Sequence, residues 1–324
     1  MSNGYNDCKE KLIYILRILN SYFIFPKKVI LMHENIFLKY KIANTFEAEF
    51  KIRRIGKEND KTESKLILDF LSDFKNNISE EYLNIGLDNI KSINCYSNTF
   101  INHLFSLLCF GGLYSKMNHS IYVNTEKEES KKILYHELLH ALTSFKCKNL
   151  LISGFHHKNI GQGINEGYTD LITNRLLNIS EYDYKIGYPY ESIVSNIVEF
   201  IIGKEKMYSL YFNGDLSGLI DILSQYSSKS NVINFIINLD NINKMSYLRL
   251  ISTAKELNED EYLNNLYIKV TKFLYELLSS KFNECHTFND INAYFHTSQE
   301  VVNLIKILNN YTTFKREKAV IKWR

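Results

Sequence analysis

The chain has 324 residues, of which 45% are hydrophobic and 23% are charged. These proportions are typical of a globular protein and exclude collagen-like, coiled-coil and intrinsically disordered classes. The formal net charge of +3 is too small to predict a nucleic-acid partner, because such proteins concentrate basic residues on one face. The 5 cysteines are scattered without CxxC pairs, as expected of reduced thiols in a cytoplasmic protein.

The N-terminal segment contains an apolar run, LIYILRILNSYFIF, at residues 12–25. Arg17 and Asn20 interrupt this run, and no small-residue cleavage site follows it. It is also too short to span a bilayer. We therefore predict an amphipathic helix, no membrane span and a cytoplasmic location.

Strand-like patterns follow in two places. Apolar and polar residues alternate in parts of the segment from Lys27 to Arg54, which predicts two or three strands. The charged stretch from Gly56 to Ser64 predicts a linker, and KLILDFLSDF after it predicts a helix. The sequence SIYVN at residues 120–124 alternates again and predicts a further strand.

Two helices are predicted in the central part of the chain. Thr125 and Glu128 have the spacing of a capping box, in which each side chain bonds a backbone amide of the other residue. The first helix should run from there to about Phe145. Glycines at positions 154, 161 and 163 indicate a loop, and a second helix is predicted from about Ile164 to Asn178.

The rest of the sequence predicts successive helices. They are expected at residues 190–203, 216–226, 231–239, 247–257, 259–278 and 299–309. The predicted fold class is therefore α+β and predominantly helical, with a small antiparallel sheet and an all-helical C-terminal lobe. We divide the chain into an N-terminal helix with a small β subdomain (1–60), a core with the two central helices (61–180) and a helical lobe (181–324).

The first central helix carries the sequence YHELLHALTS at residues 135–144. Residues four apart on a helix lie about 40° apart around its axis, so His136 and His140 stack on one face and can reach one metal ion. Glu137 lies on the same side, and an apolar stripe including Leu138 lies opposite. Two histidines leave a zinc ion undercoordinated, so a third protein ligand is required.

The second central helix offers that ligand in the sequence NEGYTD at residues 165–170. Glu166 can bind the metal. Asp170, one helical turn further on the same face, can then accept the N–H of a ligand histidine and fix its tautomer. HExxH alone arises by chance too often to establish a metal site, but its combination with NExxxD strongly favours one.

HELLH followed by NEGYTD resembles the gluzincins, the thermolysin-like zinc metallopeptidases whose third ligand is a glutamate on the helix after the HExxH helix. The resemblance implies one Zn²⁺ per chain, a zincin-like catalytic core in residues 61–180 and an antiparallel edge strand that aligns the substrate. SIYVN is the candidate for that strand. The resemblance also implies that His136, His140 and Glu166 bind the zinc ion and that Glu137 is the general base. Asp170 and Asn165 take the positions that support the ligands.

The predicted function is zinc-dependent hydrolysis of peptide bonds in a peptide or protein substrate. Glu137 is expected to take a proton from the zinc-activated water and pass it to the leaving amine. Because Glu137 is retained, we favour an enzyme over the alternative function, a catalytically inactive zinc-binding regulatory or interaction module.

The group that stabilises the oxyanion is left open by the sequence. The chain has no counterpart of the asparagine-alanine-aromatic signature that the family carries on its edge strand. It also has no counterpart of the histidine in the family's C-terminal lobe that stabilises the transition state. Tyr188 and Tyr190, in EYDYKIGYPYES, are the first candidates. His286 and His296 are further candidates, and a separate prediction is that His156 and His157, on the glycine-flanked loop, contact the substrate.

Overall fold

The computed structural model describes residues 34–42, 48–55, 61–89, 93–97, 111–116, 120–124, 129–147, 150–179, 187–251 and 257–282. Its strands are β1 Glu34–Ile42, β2 Ala48–Ile55, β3 Ile93–Ser97, β4 Gly112–Ser115, β5 Ser120–Val123, β6 Ser144–Cys147, β7 Leu150–Ser153 and β8 His156–His157. Its helices are α1 Lys61–Asn77, α2 Glu80–Asn89, α3 Ser130–Leu142, α4 Gln162–Leu176, α5 Pro189–Ile202, α6 Lys204–Phe212, α7 Leu216–Leu223, α8 Lys229–Ile251 and α9 Leu257–Phe282. The described part is mostly helical with two small sheets, which confirms the predicted α+β class.

The larger sheet has the strand order β2-β1-β3-β5-β4. Neighbouring strands are antiparallel except β3 and β5, which run parallel. The sequence SIYVN does form a strand, β5, but its prediction as the edge strand is wrong. In the described sheet β5 lies between β3 and β4, and β4 is the edge strand. Strand β4 was not predicted; Gly112 begins it and packs closely against α3.

The core surrounds α3 and α4, the two central helices. The predicted apolar stripe of α3 is buried, and so is the opposite face, where His136, Glu137 and His140 are each only 8% exposed. Helix α4 packs closely on α5 at Gly167, where an added Cβ would overlap the carbonyl oxygen of Glu191. Burial of ionisable side chains is unfavourable unless they are paired or bind a metal, so the polar face of α3 requires partners.

The start of α4 is held by a distant helix. Gly161 precedes the helix with φ of 87° and offers no side-chain cap. Instead, Asp240 of α8 accepts hydrogen bonds from the backbone N–H groups of Gly161 (2.8 Å) and Gly163 (2.7 Å). Burial raises the pKa of Asp240 to about 6, although these N–H groups act in the opposite direction. The contact satisfies amides that a helix leaves unpaired at its start and thereby fixes the helix that carries Glu166.

Several boundaries differ from the predicted ones. Helix α3 ends at Leu142 because the chain turns there into β6, and a three-stranded sheet of β6, β7 and β8 replaces most of the predicted loop. Helix α8 is continuous where two helices were predicted, since Asp240 in its middle bonds the start of α4 instead of ending α8. Helices α2 and α6 and strand β3 were not predicted.

Some predictions concern residues that the structure does not describe. They are the amphipathic helix at 12–25, the capping box at Thr125 and Glu128, and the helix at 299–309. The division into three segments stays a prediction. None of the described helices is both long enough and apolar enough to cross a membrane.

Candidate metal centre

Three potential ligand atoms converge between α3 and α4. His136 Nε2 lies 3.0 Å from His140 Nε2 and 3.2 Å from Glu166 Oε2, and His140 Nε2 lies 3.1 Å from the same Oε2. Successive turns of α3 supply the two imidazoles, as their spacing predicted. Within the described ranges, this is the only group of histidine, cysteine and acidic side chains that could hold a metal ion.

His136 Nε2, His140 Nε2 and Glu166 Oε2 form a triangle that fits a tetrahedral metal ion. Zinc ligands at about 2.0–2.1 Å in tetrahedral geometry are separated by about 3.3–3.4 Å, close to the three measured distances. Hydrogen bonds alone satisfy the triangle poorly. If both histidines donate to Glu166, their two N–H groups face each other at 3.0 Å and repel. If either nitrogen is unprotonated, its lone pair faces the carboxylate or the other ring. Two nitrogens and one oxygen thus form a donor set suited to a divalent cation such as zinc.

The electrostatics of Glu166 also favour a cation. Burial acts to raise the pKa of this carboxyl group, but the neighbouring imidazoles, His140 foremost, outweigh it and hold the pKa well below its usual range. Glu166 is therefore a carboxylate at neutral pH, the protonation state in which it can bind a metal ion.

Both supporting residues predicted from the sequence lie beside the ligand histidines. Asp170 Oδ1 is 3.8 Å from His136 Nδ1 and 3.2 Å from Lys132 Nζ, and Ser192 Oγ donates a 3.2 Å hydrogen bond to Asp170 Oδ2. Lys132 was not predicted, although its place one turn before His136 puts it on the same side of α3. The contacts hold the Asp170 carboxyl group facing the ring of a ligand histidine.

The second supporting residue, Asn165, contacts the other ligand. Its side-chain amide lies 3.4 Å from His140 Nδ1, and its Oδ1 accepts a 3.0 Å hydrogen bond from the backbone N–H of Phe155. Ser144 Oγ and Ser153 Oγ donate to the carbonyl oxygen of His140 at 2.6 and 3.2 Å. The last turn of α3 is thereby attached to the small sheet, a support that the sequence pattern did not indicate.

Glu137 lies beside the triangle without belonging to it. Its carboxylate accepts a hydrogen bond from the Tyr114 backbone on β4, and Gly112 packs against its side chain. Burial, followed by the charge of Glu166, raises the pKa of Glu137 to about 7, against the opposing effects of His136 and the Tyr114 amide. A buried carboxyl group that titrates near neutral pH is suited to exchange protons with a bound water or amine.

The two tyrosines proposed from the sequence have different surroundings. The Tyr188 ring stacks on His136 with a centroid distance of 5.7 Å and an interplanar angle of 26°. The charge of Glu166, then burial and the charge of Glu137, raise the pKa of Tyr188 well above its usual value, so its hydroxyl keeps its proton. Tyr188 precedes α5 and faces α3, where it contacts the candidate metal centre.

Tyr190 does not fit the predicted role of oxyanion donor. Its hydroxyl lies 3.2 Å from both the carbonyl oxygen of Tyr267 and Thr271 Oγ1 on α9. The physical reason is helical rotation. Tyr190 is already in the first turn of α5, and a shift of two positions turns a side chain by about 200° around the axis. Of the two tyrosines, we therefore retain only Tyr188 as a candidate.

The two histidines that were predicted to lie on the loop, His156 and His157, have different partners. His157 Nε2 donates to the carbonyl oxygen of Gly214 at 2.7 Å, which attaches β8 to the turn before α7. His156 Nδ1 instead lies 3.1 Å from Lys116 Nζ, and the charges of Glu166 and His140 both act on His156. The pair of Lys116 and His156 therefore lies near the candidate metal centre. His286 and His296 are outside the described residues.

Comparison with known proteins adds no relative. No protein-family model matches the chain, and neither a curated protein nor a solved structure shows significant similarity to it. A function for the chain is therefore argued from the chemistry of His136, His140, Glu166 and the residues around them.

Proposed function

We propose that the chain is a gluzincin-like zinc peptidase that hydrolyses peptide bonds with Glu137 as the general base. The observation that carries the proposal is the triangle of His136, His140 and Glu166 with a buried carboxyl group, Glu137, directly beside it. When bound there, zinc would polarise the scissile carbonyl and lower the pKa of a bound water.

Glu137 has the properties of the proton-transfer group in this proposal. Its pKa near 7 lets it accept a proton from water and return it to the leaving amine within one reaction cycle. Hydrogen bonding to the Tyr114 backbone keeps the carboxylate in place between β4 and the ligands. A purely structural zinc site has no use for such a group, so Glu137 supports an enzyme over the inactive zinc-binding module.

The substrate chain is proposed to lie along β4 rather than β5. Gly111 accepts a 2.8 Å hydrogen bond from the Asn124 backbone N–H, so alternate residues from Gly111 onward face β5. Gly112 and Tyr114 consequently turn their backbone groups to the free edge of the described sheet. The Tyr114 N–H donates to Glu137, and both backbone groups of Gly112 can pair with an extended peptide.

Replacing Gly112 by alanine is predicted to displace the general base. The added Cβ would lie 2.6 Å from Ile133 Cγ2 and 3.0 Å from Glu137 Cγ. Misplacement of a catalytic group by about 1 Å can lower turnover by about 100-fold, so we expect a loss of roughly 10- to 100-fold with the zinc content unchanged. The measurements are steady-state peptide hydrolysis and metal analysis of the same preparation.

A second substitution provides the control for Gly112→Ala. Combining it with Ile133→Ala removes the nearer clash and should restore part of the activity, because the added methyl group then has space on that side. Loss of zinc in parallel with loss of turnover would contradict the prediction, since the damage would then lie in the ligands.

The two tyrosines form a matched pair for testing the oxyanion donor. Tyr188→Phe is expected to lower kcat by roughly 100-fold, because removal of one donor to a developing oxyanion has an effect of this size. Tyr190→Phe should leave kcat within about twofold and lower the free energy of unfolding by about 1 kcal/mol, since its hydroxyl bonds α9. Equal kinetic effects in the two variants would refute the role of Tyr188.

The proposal as a whole is tested by metal analysis and an unbiased peptide-library digest. The purified chain is expected to contain about one zinc ion and to cut peptides in the library. A chelator should remove the activity, and added zinc should restore it. Full zinc occupancy without any cleavage would overturn the peptidase assignment and favour the non-catalytic module, and a chain without stoichiometric zinc would refute both.

A further inference from the structure

A lysine directly after the edge strand lies near the candidate metal centre, where the charge of Glu166 acts on it. Lys116 follows β4 and is half-buried, and its ammonium group lies 3.1 Å from His156 Nδ1 on β8. Two residues earlier, Tyr114 is buried, with its hydroxyl hydrogen-bonded to Ser144 just after α3. The position of the Lys116 ammonium group is therefore given by the end of β4 at Ser115 and by its contact with His156.

His156 orients this ammonium group. Its Nε2 lies 3.3 Å from the carbonyl oxygen of Lys158, which can only accept, so Nε2 carries the ring proton. Nδ1 is then a lone pair and accepts a hydrogen bond from Lys116 Nζ. Burial, assisted by the charge of Lys116, lowers the pKa of His156 to about 4, so the ring stays neutral and keeps this arrangement at physiological pH.

The positive charge of Lys116 is poorly compensated. Among the residues that the structure describes, no carboxylate forms an ion pair with its ammonium group, and the acidic side chain that acts on it at longer range is Glu166. Burial lowers the pKa of Lys116, and Glu166 opposes this only in part. An ammonium has three N–H donors, and among the described residues His156 takes one of them, which leaves two to bind a ligand.

We propose that Lys116, positioned by His156, forms a subsite that binds a carboxylate of the substrate next to the metal centre. The inference rests on the proposed peptidase function and adds to it a preference for acidic substrates. A peptide along β4 passes Glu137 at Tyr114 and then meets Lys116 at the end of the strand. The carboxylate is therefore either the C-terminal group of the peptide or an acidic side chain close to the scissile bond.

A carboxylate suits this position better than a neutral group. Binding would give the half-buried ammonium a charge-assisted partner, an interaction about twice as strong as a neutral hydrogen bond. Tyr188 stacks directly on His136 and serves as the oxyanion donor in the proposed mechanism, so Lys116 is assigned to substrate binding. Its effect should accordingly appear mainly in KM.

Four short peptides distinguish the two sources of the carboxylate. N-acetylated tetra-alanine is prepared as the free acid and as the amide, and the amide is also prepared with glutamate or glutamine at its third residue. Wild type is expected to prefer one acidic member over its neutral partner by roughly 10- to 100-fold in kcat/KM, the range expected for a hydrogen-bonded charge. The pair that shows the preference identifies a C-terminal or a side-chain carboxylate.

Substitutions then assign the preference to the subsite. Lys116→Met should make acidic and neutral peptides equivalent by raising KM for the acidic one, and Lys116→Arg should retain part of the preference. His156→Ala should weaken the preference less than Lys116→Met, because His156 only positions the ammonium. Lys146→Met, at an exposed position of β6, is the matched control and should behave as wild type.

Calorimetry with the zinc-loaded Glu137→Gln variant gives a reading that does not depend on turnover. The preferred acidic peptide should bind this variant roughly 10-fold or more tightly than its neutral partner, and adding Lys116→Met should remove the difference. Equal binding and equal cleavage of all four peptides would overturn the subsite and leave the peptidase proposal intact. An equal fall in kcat for every peptide in Lys116→Met would also overturn it, because Lys116 would then act on the reacting carbonyl.

Discussion

Replacing Glu137 by glutamine is expected to reduce peptide hydrolysis by at least about 1000-fold, because an amide cannot accept the proton of the attacking water. Zinc should remain bound at the wild-type level, since His136, His140 and Glu166 form the triangle without Glu137. Glutamine has the shape of glutamate, so the close contact with Gly112 is kept. The measurements are kcat/KM on a peptide from the library digest and zinc content per chain.

Glu276→Gln is the matched control for this experiment. Glu276 is exposed on α9, a helix that packs on α5 and α8, and its substitution should leave both zinc content and turnover unchanged. Hydrolysis that persists in Glu137→Gln would refute Glu137 as the general base. If wild type itself binds zinc and cuts no peptide, Glu137→Gln should leave the biological function intact, as the non-catalytic alternative predicts.

The sequence was sufficient to predict which side chains share a face on each of the two helices, because helix geometry is local. His136 and His140 must lie one turn apart on any straight helix, and Asn165, Glu166 and Asp170 are ordered in the same way by α4. The sequence did not fix the relative placement of the two helices. That placement depends on contacts between distant segments, such as the capping of α4 by Asp240 from α8.

The parts of the site that were missed depend on similar long-range contacts. Strand β4 was not predicted, and only the packing of Gly112 on α3 shows why this edge strand lies beside Glu137. Tyr188 and Tyr190 were equivalent candidates in the sequence, and the start of α5 between them separates their directions. Lys116 has no sequence signal, because its partner His156 comes from a different sheet.

Zinc is expected to contribute strongly to the stability of the fold as well as to its chemistry. A ligand that binds only the folded chain raises the free energy of unfolding by about 4 kcal/mol when its free concentration is 1000 times its Kd. The triangle joins α3 to α4, so this gain should be measurable by denaturant unfolding with zinc and with a chelator. His140→Ala removes one ligand and should abolish most of the zinc-dependent gain.

The metal-free proteins show whether His140→Ala acts through the metal. Without zinc, the three polar atoms at 3.0–3.2 Å cannot all be paired in hydrogen bonds. His140 should therefore contribute little to the free energy of unfolding of the metal-free protein. Wild type and His140→Ala should therefore differ far less in chelator than in zinc. His157→Ala, which removes only a hydrogen bond to Gly214, should keep the full zinc response. An undiminished response in His140→Ala would show that zinc binds elsewhere, whereas a large deficit already present in chelator would assign His140 to packing.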